Sequence, residues 1–321
     1  MTKIKRVVMI DDAKFGNLPY SHIKKYDKKV LRRCYRYLFE KSEKEYGLKW
    51  YKANVLWYNK KTKLFNKGWE MKNGKWTVVH DFGYDFIFDK TKLSGNSLKY
   101  KKYFEKKVKI LNSTELEILC SDKWLTRNTF KQYMPKTYLV HDIKQLKSKL
   151  KYIKSDKIVL KPRFGSSAIG LTIIKKSQLP QKIPRDTILQ EFVDTSKGIP
   201  DLVKGVHDIR SIVIDGKFIH SFIRVPKAGW ISNLSRGGHA IFVDKNKTPK
   251  KLVDFVINHV DKKLTKLKPR FYTVDCVYVD GKIVLVELNS KPGFFFYEGF
   301  GRNDLRDLVI DNLLNAIKES I

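Results

Sequence analysis

Tyr272-Thr-Val-Asp275-Cys-Val-Tyr-Val-Asp280-Gly-Lys-Ile-Val-Leu-Val-Glu287-Leu-Asn289-Ser-Lys-Pro-Gly293 places two β-branched, apolar runs on either side of an Asp-Gly dipeptide, the pattern of a β-hairpin. Three oxygen-bearing side chains, Asp275, Glu287 and Asn289, interrupt faces that are otherwise apolar. A carboxylate on a buried strand needs a cation or several donors to offset its desolvation. Mg²⁺ takes oxygen ligands, commonly one or two carboxylates together with substrate phosphates. Register decides whether the three share a face, because successive strand residues point to opposite sides. A two-residue turn at Asp280-Gly281 pairs Val279 with Lys282 and sends Asp275 and Glu287 apart. A three-residue loop, Val279-Asp280-Gly281 with Gly281 left-handed, brings all three together, and this odd loop is the expected form. A metal site is expected from it; two independently satisfied carboxylates are the alternative.

The same parity applies upstream. With an odd loop at Asp215-Gly216-Lys217, residues Asp208, Arg210 and Arg224 line one face. Two guanidiniums beside a carboxylate suit a phosphate or an acyl phosphate, and an internal Arg–Asp salt bridge is the competing reading. Further back, Gly165-Ser-Ser-Ala-Ile-Gly170-Leu-Thr172 nearly spells a P-loop, but Leu171 stands where the lysine belongs and the flanks read strand–loop–strand. A glycine-serine loop still offers backbone N–H groups and hydroxyls to phosphate oxygens, and Lys161 ends the strand before it. An ordinary glycine turn is the bland alternative. Cys276 faces away from Asp275 as a core thiol, and His207 and His239 lack a nucleophile partner at a recognisable spacing.

Around these motifs the chain reads as alternating elements. Residues 5–10 form a strand, 27–46 a helix, 64–79 a hairpin about Asn73-Gly74 and 83–89 another strand; the Gly/Ser/Asn/Lys-rich stretch 94–103 shows no period and is expected to be a loop. Asn112 with Glu115 reads as a capping box, Ser121 as a second cap and Thr248-Pro249 as a third. Strands are expected at 157–161, 169–174 and 188–193, a helical stripe runs from Leu252 to Leu267, and a closing helix covers 304–319.

Composition bounds the answer. The chain has 321 residues with 42 % hydrophobic and 13 % aromatic content, too rich for a disordered protein even at a formal net charge of +33. No apolar run is long enough to span a membrane, and Met1–Asp12 reads as a strand, not a signal peptide. Three scattered cysteines make neither a disulfide framework nor a zinc site, which points to a reducing, cytoplasmic setting. Basic residues are spread through both parts of the chain, 29 against 11 acidic ones over residues 1–110. They fit a solvated lysine-rich surface or recruitment of an anionic substrate; no zinc finger, RNP segment or basic heptad supports a dedicated nucleic-acid site.

In order, Ser121-Asp-Lys123-Trp, Val-Leu-Lys161-Pro-Arg-Phe-Gly165, Leu189-Gln-Glu-Phe-Val193, His207-Asp-Ile-Arg210, Ser232-Asn-Leu-Ser-Arg-Gly-Gly238 and Val286-Glu-Leu-Asn-Ser-Lys-Pro-Gly293 resemble the ATP-grasp superfamily, in particular RimK-type glutamate ligases and glutathione synthetases, over about residues 112–321. Gly68–Trp76 is also similar to the endospore-coat-associated YheC/YheD branch. The resemblance implies a mixed α/β ATP-grasp fold: an N-terminal α/β domain (1–111), a small central lid (112–193) and a C-terminal antiparallel-sheet domain (194–321). It implies ATP and Mg²⁺, two ions with Mn²⁺ as a substitute, held by Asp275, Glu287 and Asn289. Lys123 and Lys161 would meet the ATP phosphates, with the loop of Gly165, Ser166, Ser167 and Gly170 closing over them. Gln190, Glu191, Phe192 and Val193 would be the hinge that reads adenine, with Asp208 on the ribose side. Arg210, Arg224 and Asn233 would face the transferred phosphoryl and acyl groups. The implied activity is ATP-dependent ligation of a small-molecule or peptide carboxylate to an amine through an acyl phosphate, releasing ADP and phosphate. A non-catalytic ATP-binding scaffold associated with a coat is the alternative, and oligomerisation stays open. The N-terminal residues do not resemble those of the RimK type, so glutamate is not carried over as substrate.

Overall fold

The computed structural model describes residues 4–15, 18–20, 23, 27–165, 168–232, 234, 237–244 and 247–321. The expected site residues Ser166, Ser167 and Asn233 lie outside them. Contacts group the chain into two compact units, residues 1–116 with 267–271 and 291–321, and residues 117–266 with 272–290. Much of the segments 112–193 and 194–321 thus falls together, while the closing helix belongs with the N-terminal part.

The first unit is built on a six-stranded sheet of β1 (Lys5–Asp11), β2 (Leu48–Asn54), β3 (Gly68–Lys72), β4 (Lys75–Val79), β5 (Phe86–Asp89) and β6 (Ile110–Leu111), in the order β4-β3-β2-β1-β5-β6. The four strands β2, β1, β5 and β6 run parallel, and the β3–β4 hairpin turns at Asn73-Gly74 on one edge. Val7–Ile10 are buried throughout, as a central parallel strand covered on both faces requires. Helix Lys28–Tyr46 is capped by Asp27 and buries Leu31, Cys34, Leu38 and Phe39. It meets the closing helix Asn303–Lys318, whose Val309, Leu313 and Ile317 are buried; Lys41 reaches Asp311 at 2.5 Å.

Residues 94–103 correct the sequence reading. They belong to a helix, Gly95–Glu105, in which Ser97, Lys101 and Phe104 are buried. Lys101 Nζ donates to Asp89 Oδ2 at 2.5 Å and to the Asn112 carbonyl at 2.6 Å, so one buried ion pair anchors a segment with a weak helical pattern. The caps differ as well. Asn112 makes strand-like bonds to both backbone groups of Phe271, and Ser113 Oγ accepts from Leu116 N in its place. Asp122, not Ser121, caps helix Lys123–Thr129. Thr248 bonds back to Asp244, leaving Pro249 at the start of the next helix without a side-chain cap.

The second unit carries two sheets. The first has β7 (Thr137–Val140), β8 (Lys157–Pro162), β9 (Thr172–Lys175) and β10 (Thr187–Glu191) in the antiparallel order β9-β8-β10-β7. The other has β11 (Asp208–Ile214), β12 (Lys217–Val225), β13 (His239–Phe242), β14 (Phe271–Val279) and β15 (Lys282–Asn289), ordered β13-β12-β11-β14-β15. All three cysteines are free and buried. Among the described residues no helix is long and apolar enough to cross a membrane.

Candidate active site

Both Asp-Gly hairpins overturn the expected odd loops while reaching the same alternation. In β14–β15, Val279 pairs directly with Lys282, and Asp280 and Gly281 both have positive φ (47° and 78°), as a two-residue type I′ turn requires. That turn alone would separate the carboxylates. The register then slips by one: Cys276 pairs with Leu285 but Asp275 pairs with Glu287, leaving Val286 as a β-bulge. Asp275 and Glu287 become direct cross-strand partners, and Thr273 pairs with Asn289 on the same face. In β11–β12, Asp215-Gly216 likewise makes a two-residue turn, and Ile219 is bulged so that Asp208 pairs with Arg224. The odd residue sits inside each second strand instead of in the turn.

On that face two arginines and two aspartates form an overall neutral quartet. Arg210 holds Asp275 with Nε to Oδ1 at 2.8 Å and Nη2 to Oδ2 at 2.5 Å. Arg224 holds Asp208 at 2.6 and 2.7 Å and also reaches Asp275 Oδ2 at 2.7 Å. Burial alone would push the Asp275 carboxyl up, but the two guanidiniums outweigh it and hold it down at about 2. Asp208 moves the other way, to about 6, through burial and the nearby Asp275 charge, with Arg224 opposing. The internal Arg–Asp pairing named as an alternative is therefore present, and Asp275 is its shared acceptor. A carboxylate offers about four lone-pair positions, so Asp275 retains acceptor capacity beyond these three bonds.

Lys161 lies on β8, only 5 % exposed, with Nζ donating to Gln190 Oε1 at 3.0 Å; Gln190 Nε2 in turn donates to Thr137 Oγ1 at 2.9 Å. Burial, opposed by the Glu287 charge and aided by Lys123, lowers its ammonium to about 8. Glu287 and Lys123 thus both act electrostatically on Lys161. Lys123 opens its helix just after Asp122, and its Nζ donates to the Gly165 carbonyl at 2.7 Å. Gly165 and Gly170 take positive φ, and a Cβ on Gly170 would meet Pro162 Cγ at 2.8 Å. The flanks of this loop are β8 and β9, the strand–loop–strand arrangement that separates it from a P-loop.

Gln190 and Glu191 end β10, and Phe192 and Val193 follow it. Glu191 Oε1 accepts from Lys154 N at 2.7 Å, and Phe192 N donates to Ser155 Oγ at 3.1 Å. The Phe192 ring meets Trp230 edge-on at 4.9 Å, with Lys157 Nζ 4.2 Å from the Trp230 ring centre. His207 is held by Gly205 and Tyr278 backbone groups, and burial lowers its pKa; Cys276 is fully buried, as the parity reading placed it.

Among the described residues no three His, Cys, Asp or Glu side chains cluster as a metal site. The expected set is instead two carboxylates and an amide, and its chemistry fits Mg²⁺: all hard oxygen donors, on one face. Thr273, missed in the sequence, adds to that face a buried hydroxyl with no hydrogen-bond partner among the described residues, opposite Asn289. Its position two residues before Asp275 was the available signal. Asp122 was missed too; it caps the Lys123 helix and clamps Arg163 at 2.9 and 2.6 Å, tying the start of that helix to the end of β8.

With this geometry in place, the comparisons with known proteins agree on the class. The ATP-grasp domain model matches residues 120–293, more than half of the chain, and the protein belongs to the ATP-grasp family. The tetrahydromethanopterin:alpha-L-glutamate ligase of Methanocaldococcus jannaschii is 25 % identical over 259 residues, 75 % of this chain and 79 % of that protein. The fold is similar to that of the D-alanine–D-alanine ligase from Bacillus anthracis complexed with ATP, with TM-score 0.59 and 15 % identity over 98 % of this chain and 99 % of that one. A RimK domain ATP-grasp protein from Sphaerobacter thermophilus gives TM-score 0.55 at 11 % identity, over 96 % and 99 % of the two chains.

Proposed function

We propose that this protein is an ATP-dependent carboxylate–amine ligase that forms an amide through an acyl phosphate. The observation that carries the reading is the Asp275–Glu287 cross-strand pair together with the buried Lys161 that Glu287 acts on. ATP brings the phosphates that Lys161 and Lys123 are placed to neutralise, with the 165–170 loop against them and the Gln190–Val193 segment reading the base. Asp208 lies toward the ribose. Asp275, Glu287 and Asn289 would hold Mg²⁺, two ions in this reading, which supplies charge neutralisation on the phosphates when bound.

The substrate carboxylate oxygen attacks the γ-phosphorus, its bond to the β–γ bridging oxygen breaks and ADP leaves. The amine nitrogen then attacks the acyl carbon, phosphate departs and the nitrogen loses a proton to solvent. Arg210 and Arg224, with Asn233, stabilise the oxyanion of that second step. Their aspartate partners keep both forks oriented before substrate arrives. L-Glutamate is the first amine to test, since the methanogen relative is a glutamate ligase. The Gly68–Trp76 resemblance keeps the coat-associated branch as a candidate subfamily with a different acceptor, and ATP supply places the reaction in the cytoplasm.

The test is ADP release from the purified protein with ATP and MgCl₂, with and without L-glutamate and a panel of carboxylates, followed by mass spectrometry for a new amide. Release that needs both a carboxylate and an amine supports the reading. ATP binding with no turnover across a complete metabolite extract overturns it and favours the scaffold alternative.

A further inference from the structure

A pocket of about 350 Å³ in the first unit belongs to none of the machinery above. It opens beside the amino-terminal ends of parallel strands: Arg6 stands at the start of β1, Tyr84 two residues before β5 and Val108 two residues before β6. Open α/β sheets place their substrates at the carboxyl ends of the strands. A ligand here is therefore something other than a substrate held at that edge.

Its lining is specific in charge and in hydrogen-bond polarity. Arg6, Lys63 and Lys107 are the ionised residues that line it, and no carboxylate does. Asp85 engages Arg6 through Nε at 3.2 Å, and the far end of the guanidinium lies over Gly83, where a Cβ would sit 2.8 Å from Nη1. Glycine at 83 lets the guanidinium lie this close; a side chain there would push its flexible end aside. Three phenols converge beside it: Tyr58 Oη donates to Tyr103 Oη at 3.4 Å and contacts Tyr84 Oη at 3.0 Å. Each phenol has one proton. If Tyr58 gives its proton to Tyr103, Tyr84 must donate to Tyr58, and the Tyr103 proton is left for an outside acceptor. A donor chain ending among cations selects an oxyanion, while Leu64, Val108 and the tyrosine rings offer apolar surface.

We propose that this pocket binds a small amphipathic anion, its acid group against Tyr103, Arg6 and Lys107 and its apolar body against Leu64 and Val108. A carboxylate and a phosphate share this chemistry. Phenylacetate and phenyl phosphate are the probes that separate them, with inorganic phosphate as the head group alone. Calorimetric titration of the full chain, with its nucleotide site saturated by a non-hydrolysable ATP analogue, should give a Kd near or below about 1 mM for one aryl probe. Tyr103→Phe keeps the ring and removes the donor, and should weaken that probe about tenfold. Lys107→Ala, at an exposed position, should also weaken it, and serves alone if the tyrosine variant folds poorly. No binding of either aryl probe below 10 mM, inorganic phosphate binding as tightly as the aryl probe, or unchanged affinity in Lys107→Ala would each overturn the assignment.

Discussion

Arg210 grips Asp275 through two parallel N–H bonds of 2.8 and 2.5 Å, and Arg224, on the other strand of the same β11–β12 hairpin, reaches the same carboxylate at 2.7 Å. Two β-bulges set which residues face one another on this surface, Ile219 for Arg224 and Val286 for Glu287. Without them, Asp208 would not oppose Arg224, and Asp275 would not oppose Glu287.

Arg210→Ala should lower turnover about a hundredfold or more, the usual effect of removing one preorganised positive group from a developing oxyanion. Asp275 keeps its bond to Arg224, so the fold should persist. Coupled ADP release and circular dichroism check both parts; near-normal turnover would remove Arg210 from the reaction.

Lys161 titrates near pH 8, below the ordinary lysine range, because burial disfavours its charge and Lys123 adds to that effect against Glu287. Between about pH 8 and its unfolded value the folded protein binds fewer protons here than the unfolded chain, so this group's contribution to stability rises with pH in that window. If Lys161 meets the ATP phosphates as proposed, their binding would restore the charged form. Nucleotide binding at pH 8.5 should therefore take up protons, measured by calorimetry in buffers of different ionisation enthalpy, and Lys161→Met should abolish the uptake.

Glu287→Gln removes the charge that supports the Lys161 ammonium and one of two carboxylates suited to Mg²⁺. The Mg²⁺ concentration giving half-maximal ATP turnover should rise at least tenfold. A titration curve that superimposes on the wild type would take Glu287 out of the ion site.

Gly281 has φ +78° with nothing within 4 Å of where a Cβ would stand, so Gly281→Ala meets backbone strain and no clash. A left-handed non-glycine residue costs roughly 1–2 kcal/mol. Urea unfolding should show a loss of that size with ADP release intact at subsaturating denaturant. A larger loss would mean the turn carries more than backbone geometry.

Lys101→Ala leaves the buried Asp89 carboxylate without its cation and should cost about 3–5 kcal/mol. Replacing the pair together, Lys101→Met with Asp89→Leu, should recover much of the loss. Equal destabilisation in the single and double variants would show that the Asn112 carbonyl bond, not the ion pair, anchors the helix.

What could be read in the residues alone depended on locality. The helix at 28–46, the Asn73-Gly74 turn and the candidate carboxylates were all legible, because periodicity and turn chemistry act within a few positions. Helix 95–105 escaped that reading: its own pattern is weak, and it is secured by Asp89 and Asn112, partners distant along the chain or in the next element. The bulges escaped it too. Val286 and Ile219 look like any strand residue, and only the competition among neighbouring strands for pairing and burial decides which residue is left out of the ladder. The sequence by itself determined which groups carry charge and oxygen, and in what order. The tertiary structure decided which face they occupy and whom they meet, because register and long-range burial are properties of the assembled sheet and not of any one segment.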